Sequence, residues 1–225
     1  MGSSLRDSYV INFIFKEVPY INILILGATG RVGGYILNNA LKGDHDVTVL
    51  VRQPHKIMPD QGLTIINGNV LNKEDIVKAL SGIEVVISAL STDGTTTLSV
   101  SMPLILEAMK NRMIKRLITL GTAGILQSQM DPSLLRYQSK ESKRKSTWAS
   151  EEHHEVLRLL TESDIYWTII CPPYLSNGNL TGCYRIERDF LPQDGVAISI
   201  PDVADLAFKQ ISSTEYLNTR IGIAY

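Results

Sequence analysis

The feature that most restricts this chain is an apolar strand candidate, Ile21-Asn22-Ile23-Leu24-Ile25-Leu26, that runs directly into Gly27-Ala28-Thr29-Gly30-Arg31-Val32-Gly33 and then into an amphipathic helical segment. Glycines at three-residue spacing allow a tight turn and a close backbone approach, and the helix that follows aims its N-terminal N–H groups at whatever lies in front of the turn. Such a strand, turn and helix form an anion cradle whose natural occupant is the pyrophosphate of a dinucleotide. A tight structural connection would also use glycines, but the order strand, turn, helix favours the cradle.

From Ile21 onward, short β-rich apolar runs alternate with helix-like segments, the pattern of a parallel sheet covered on both faces. Strands are expected at Ile21 to Leu26, Asp46 to Val51, Leu63 to Asn67, Ile83 to Leu90, Arg116 to Leu120 and Ile165 to Cys171. Most lack clean alternation, as strands buried on both faces do. Helices are expected at Arg31 to Lys42, Lys73 to Leu80, Leu98 to Arg112, Ser150 to Glu162 and Pro201 to Ser212, with Thr219 to Tyr225 adding an edge strand. The fold class is therefore α/β, a Rossmann-type doubly wound parallel sheet in a single domain over residues 21–225. Residues 1–20 read as an N-terminal extension, in part an expression tag beginning Met1-Gly2-Ser3-Ser4. The polar stretch Gln127 to Thr147, with Arg136, Lys140, Lys143, Arg144 and Lys145, reads as a mobile loop of unassigned role.

Composition narrows the function classes. Across 225 residues, 44% hydrophobic and 20% charged side chains are ordinary for a folded core. Lys and Arg number 22 against 23 Asp and Glu, so no overall field recruits nucleic acid or an anionic membrane, and any anion site must be local. The apolar stretch Tyr9 to Phe15 is too short to span a bilayer and lacks a cleavage site. Two cysteines, Cys171 and Cys183, make no disulfide framework and suit a reducing compartment. A cytoplasmic location is expected and no metal site is, while oligomeric state stays open.

Cofactor choice is read at the end of the second strand, where a site for NAD(H) would place an acidic residue about 20 residues beyond the motif. Arg52 stands there instead. Its planar fork suits a 2′-phosphate, and Lys56 adds a point charge, so NADP(H) is expected over NAD(H).

Gly27 to Gly33, Val47-Thr48-Val49-Leu50-Val51-Arg52 and Gly68-Asn69-Val70 together resemble the atypical short-chain dehydrogenases, with NmrA-like proteins as wider relatives. Ser163 to Tyr174, ending in Cys171-Pro172-Pro173-Tyr174, is similar to the last core strand and Pro-Pro loop of biliverdin reductase B, also called NADPH flavin reductase. Ile200-Pro201-Asp202-Val203-Ala204-Asp205-Leu206-Ala207 resembles the helix start that follows the substrate region in that group. Two departures stand out. Asn69 replaces an Asp often found near the adenine, which implies an amide or backbone contact there. The Tyr-x-x-x-Lys pair of typical short-chain dehydrogenases is missing, since Glu141 follows Tyr137 by four residues.

The resemblance implies cofactor contacts from Gly27, Thr29, Gly30, Arg31, Val32, Gly33, Arg52, Lys56, Asn69, Val70, Ala89, Leu90, Ser91, Thr122 and Pro172. Residues just beyond the strands face the ligand crevice of a doubly wound sheet. Thr122 matches a serine beside the nicotinamide in flavin reductases, and Tyr174 follows the Pro-Pro loop. His153 falls in the first turn of a helix at the same sheet edge, with Val156, Leu157 and Leu160 marking its core-facing side and His154 turned away. Thr122, His153 and Tyr174 are thus the catalytic candidates, although His153 serves equally as a hydrogen-bonded helix-start residue. The implied activity is hydride transfer from NADPH to a small acceptor such as a flavin or quinone. A non-catalytic NADP(H) sensor of the NmrA-like kind is the alternative, and the missing Tyr-x-x-x-Lys weakens an epimerase or dehydratase.

Overall fold

The strands of this protein are buried on both faces because their neighbouring residues belong to two different cores. In the computed structural model, which describes residues 20–92, 94–142 and 145–225, β1 (Asn22–Leu26) sends Leu24 and Leu26 into one apolar cluster and Ile23 and Ile25 into the other. The expected extension lies outside the described residues except for Tyr20, as do Lys143 and Arg144 of the basic stretch.

β2 (Asp46–Val51), β3 (Leu63–Asn67), β4 (Val85–Ser88), β5 (Arg116–Leu120), β6 (Tyr166–Cys171), β8 (Arg185–Arg188) and β10 (Thr219–Ala224) join β1 in one sheet of order β3-β2-β1-β4-β5-β6-β10-β8. All neighbours pair in parallel except β8 with β10. β7 (Tyr174–Ser176) and β9 (Ala197–Ser199) form a separate short parallel pair. Helices α1 (Arg31–Lys42) and α5 (Ile200–Lys209) pack together, as do α2 (Lys73–Ala79) with α3 (Thr97–Asn111) and α3 with α4 (Trp148–Thr161). The α/β, single-domain Rossmann-type expectation is met. The sheet reverses direction of growth between β1 and β4, and this switch point is where such folds open a ligand crevice.

Helix ends follow their caps. Asn72 accepts the Asp75 N–H at the start of α2, and Ser199 accepts that of Asp202 at the start of α5. α1 begins after Gly30 with no side-chain cap and no acid in its first turn, which leaves its leading amides open to an external anion.

Two expectations need correction. The C-terminal strand is not an edge: β10 lies between β6 and β8, with Ile221 and Ile223 fully buried. The edge is β8, Arg-Ile-Glu-Arg, whose charge hides it from a search for apolar runs and protects it from further pairing. The stretch from Gln127 is also no free loop. Gln127 bridges Leu135, Arg136 donates its N–H to Leu126, and Gln129 donates its N–H to the Glu141 carboxylate, so the described part closes on itself.

Candidate active site

At the carboxyl edge of the sheet two crevices lie next to each other. The first is lined by Gly27, Thr29, Gly30, Leu50, Val51, Arg52, Gly68, Asn69, Val70, Leu71, Ala89, Leu90, Ser91 and Thr97, from the ends of β1 to β4 and the start of α3. It brings together nine of the expected cofactor residues. Arg31 is exposed at the first position of α1, while Val32 and Gly33 are buried beneath the turn. Lys56, in a 3-10 turn at Pro54–Lys56, is exposed and stands outside the lining set, which leaves Arg52 as the basic group in this crevice.

The turn itself is built for close approach. Gly27 has φ +81°, and a Cβ there would meet the Ala89 carbonyl oxygen at 2.5 Å, so the β1 turn and the β4 end touch backbone to backbone. A Cβ at Gly33 would sit 2.1 Å from the Gly27 oxygen. At Gly30 the nearest atom is the Gly27 oxygen at 3.2 Å, and the residue is exposed. The two inner glycines serve the protein's own packing, whereas Gly30 keeps open the space in front of α1. This geometry fits a pyrophosphate seated on the turn.

Asn69 is committed in a way its sequence does not show. Its Oδ1 accepts the Leu71 N–H at 3.1 Å, and its own N–H goes to Asp75 Oδ2 at 2.8 Å. The side-chain amide nitrogen is therefore the donor left for an adenine, rather than the backbone.

The second crevice, about 410 Å³, opens beyond β5 and β6. Its lining is mixed, with Thr122, Arg136, Glu141, Ser142 and Ser150 as polar residues and Pro173, Tyr174, Leu191 and Val196 as apolar ones. Thr122 caps the 3-10 turn Ala123–Ile125, accepting the Gly124 N–H at 3.4 Å, which leaves its hydroxyl proton to donate elsewhere. Tyr174 begins β7 and is 67% exposed, so its ring forms the rim. Pro172 is buried and its carbonyl accepts the Ala123 N–H at 2.9 Å, coupling the Pro-Pro loop to the Thr122 turn.

His153 is not brought to either crevice lining. It is 9% exposed, and burial pushes its pKa down to about 4, so near neutral pH the imidazole is uncharged and lacks the imidazolium proton that a general acid would donate. His154 is half-buried rather than turned away: its Nδ1 pairs with the Tyr137 hydroxyl at 3.0 Å, tying α4 to the stretch read as a loop. Sequence reasoning missed Arg136, Glu141, Ser142, Ser150 and Val196 as lining residues: the first four depend on how that stretch and the start of α4 pack near Gly124, and Val196 is placed by accepting the Tyr174 N–H at 3.3 Å just before β9. The Gly124 spacing after β5 was the available hint, since a Cβ there would meet Ser150 Oγ at 2.3 Å.

Among known proteins, the family model described as NAD(P)H-binding matches residues 27–214. The chain spans about a quarter of the length of the plant relatives it matches, such as isoflavone reductase homolog A622-like of Nicotiana tabacum, 33% identical over 76 residues, 29% of this chain and 24% of that one. The uncharacterized protein YwnB of Bacillus subtilis is 27% identical over 87% of this chain and 93% of its own. A short-chain dehydrogenase/reductase of Veillonella parvula, solved in complex with NADP, shares the fold with a TM-score of 0.74 at 21% identity, over 92% of this chain and 95% of that one. Among the described residues no helix is long and apolar enough to cross a membrane.

Proposed function

From the premise that this chain belongs to the NAD(P)H-binding family, we propose that it is an NADPH-dependent reductase that passes hydride to a flavin, quinone or similar conjugated acceptor. The observation that carries this reading is the pair of adjoining crevices, a glycine cradle with Arg52 in one and a half-apolar chamber with Thr122 and Tyr174 in the other. The reductases among its relatives support the same class of chemistry.

The open amides of α1 and the Gly27 to Gly30 turn hold the pyrophosphate. Arg52 meets the 2′-phosphate, and Ala89, Leu90 and Ser91 line the path toward β5. The bound dihydronicotinamide supplies the hydride. The chain's task would be to hold the cofactor ring and the acceptor together: the Thr122 hydroxyl would orient one of them, and Pro173, Tyr174 and Val196 would supply apolar lining for the acceptor. Tyr174 lies at the solvent rim, so the proton that completes reduction reaches the acceptor through its phenol or from water.

Arg52→Ala lowers the ratio of NADPH to NADH affinity by about 10- to 100-fold, the equivalent of one charge-assisted contact. Titrations of both cofactors read this directly, and an unchanged ratio removes Arg52 from the cofactor site. Thr122→Val and Tyr174→Phe each slow acceptor reduction moderately, by less than the roughly 10²-fold expected for loss of an essential general acid. Steady-state NADPH oxidation with flavins, quinones and dyes, with NADPH affinity measured alongside, tests the reading. NADPH binding with no oxidation by any acceptor makes the chain a sensor instead.

A further inference from the structure

Among the described residues that line the second crevice, Arg136 is the one cation. Arg136 sits in a 3-10 turn at Arg136–Gln138, held by its backbone N–H to the Leu126 carbonyl at 2.8 Å. Its side chain is 23% exposed and its Nε lies 3.7 Å from Glu141 Oε2, beyond hydrogen-bond distance. The Glu141 carboxylate is directed to its own loop: it accepts the Gln129 N–H at 3.3 and 3.2 Å and the Ser139 hydroxyl at 3.4 Å. Glu141 therefore closes the loop and balances the charge of Arg136 without saturating it. Among the described residues the two terminal guanidinium nitrogens have no hydrogen-bond partner, and they belong to a residue that lines a crevice of about 410 Å³.

A half-buried guanidinium with unpartnered terminal nitrogens, on a residue that lines a chamber, is suited to bidentate capture of an oxyanion. The same crevice is also lined by Tyr174, Pro173 and Val196, whose apolar surface suits a ring. We infer that the acceptor carries an anionic group, a phosphate, carboxylate or sulfonate, that seats on Arg136 while its conjugated ring rests on the Tyr174 side. This rests on the reductase reading above and adds the class of acceptor. The overall charge balance of the chain gives no general attraction for anions, so the selectivity is local to this side chain.

Riboflavin and its 5′-phosphate, FMN, share one ring and differ in the anion. Flavin-fluorescence titrations of the NADP⁺-loaded protein, in which no turnover occurs, read binding alone. FMN binds wild type about tenfold or more tightly than riboflavin, as one charge-assisted bidentate contact provides. Arg136→Gln abolishes that preference. Glu141→Gln, whose side-chain oxygen still accepts from Gln129, keeps or widens it, because the competing carboxylate charge is gone. Equal or absent binding of the two flavins by wild type overturns the inference, as does a preference that survives Arg136→Gln. An equal loss in Glu141→Gln overturns it too, by showing that loop order rather than the guanidinium discriminates. NADPH-oxidation assays with both flavins separate the two ideas: an Arg136-dependent binding preference without turnover leaves the anion seat standing and sinks hydride transfer, whereas turnover without preference does the reverse.

Discussion

Gly30→Val abolishes NADPH binding and leaves the fold intact, while Gly33→Val damages the fold itself. The difference follows from what each new side chain would meet. At Gly30 the backbone is extended, φ −81° and ψ 169°, a conformation that a β-branched residue adopts readily. Its Cβ would approach only the Gly27 oxygen, at 3.2 Å, a contact that a shift of a few tenths of an ångström relieves. The two methyl groups then project into the exposed space in front of the α1 amides, the seat proposed for the pyrophosphate. Several charge-assisted amide contacts, each about 1.5–3 kcal/mol, are lost together, so affinity falls by roughly 100-fold or more. At Gly33 the Cβ would lie 2.1 Å from the Gly27 oxygen and 2.8 Å from its carbonyl carbon, inside the turn, and no rotamer relieves a clash with backbone. Circular dichroism and thermal melting should report native behaviour for Gly30→Val and a destabilised or unfolded Gly33→Val. Normal NADPH affinity in Gly30→Val would mean that the turn is not the pyrophosphate seat.

Asp202→Ala costs about 3 kcal/mol of stability, a drop in melting temperature of roughly 6–12 °C for a domain of this size. Asp202 is fully buried, and its carboxylate gathers hydrogen bonds from the Thr181 N–H and hydroxyl, the Gly182 N–H, the Ser199 hydroxyl and the Tyr225 hydroxyl. These join the segment before β8, the start of α5 and the chain end around one charge. Removing the acceptor leaves donors such as Ser199, itself buried, without a partner. Burial alone would raise the pKa of Asp202, but the hydrogen bonds from Tyr225, Gly182 and Thr181 together outweigh it and hold the pKa below the ordinary carboxylate value. The folded form thus prefers the ionised group, and its contribution is fully present above the unfolded pKa of about 3.9 and is lost as pH falls through the lower folded value. Chemical denaturation from pH 7 down to pH 3 should show an acid-dependent loss in wild type that is smaller in Asp202→Ala, the remainder coming from other carboxylates with lowered pKa such as Asp131 and Glu155. A variant with wild-type stability and the same acid slope would show that this cluster is not a structural anchor. The anchor also bears on the site: Ser199 ends β9, β9 pairs with β7, and β7 begins with Tyr174 at the crevice rim.

Much of the core was legible because buried parallel strands announce themselves. Asp46 to Val51 and Leu63 to Asn67 are largely apolar runs bounded by turns, and they form β2 and β3 at the expected limits. Ile83 and Leu90 extend the apolar run around β4 but lie outside its ladder, since apolarity reports burial and not pairing. β8 was illegible for the opposite reason, because an exposed edge needs charge more than apolarity. β7 and β9, three residues each, are too short to show any period.

The sequence by itself determined which residues line the first crevice, the one proposed for the cofactor, because its determinants are local. A turn that needs glycine, an uncapped helix start and a basic residue at a strand end all lie within one β-α-β segment, so their spacing alone places them at one edge. The second crevice was only partly legible. Thr122 and Tyr174 were expected there because they follow strand ends, whereas Arg136, Ser150 and Val196 come from three separate stretches, and none of those three carries a local signal of its place in the crevice. Arg136 reads as a surface charge until the Glu141 carboxylate closes its loop onto Gln129, and His153 reads as crevice-facing until α4 buries it. Local backbone chemistry is written in adjacent residues, whereas the direction of a side chain across a fold depends on which distant segments pack against it.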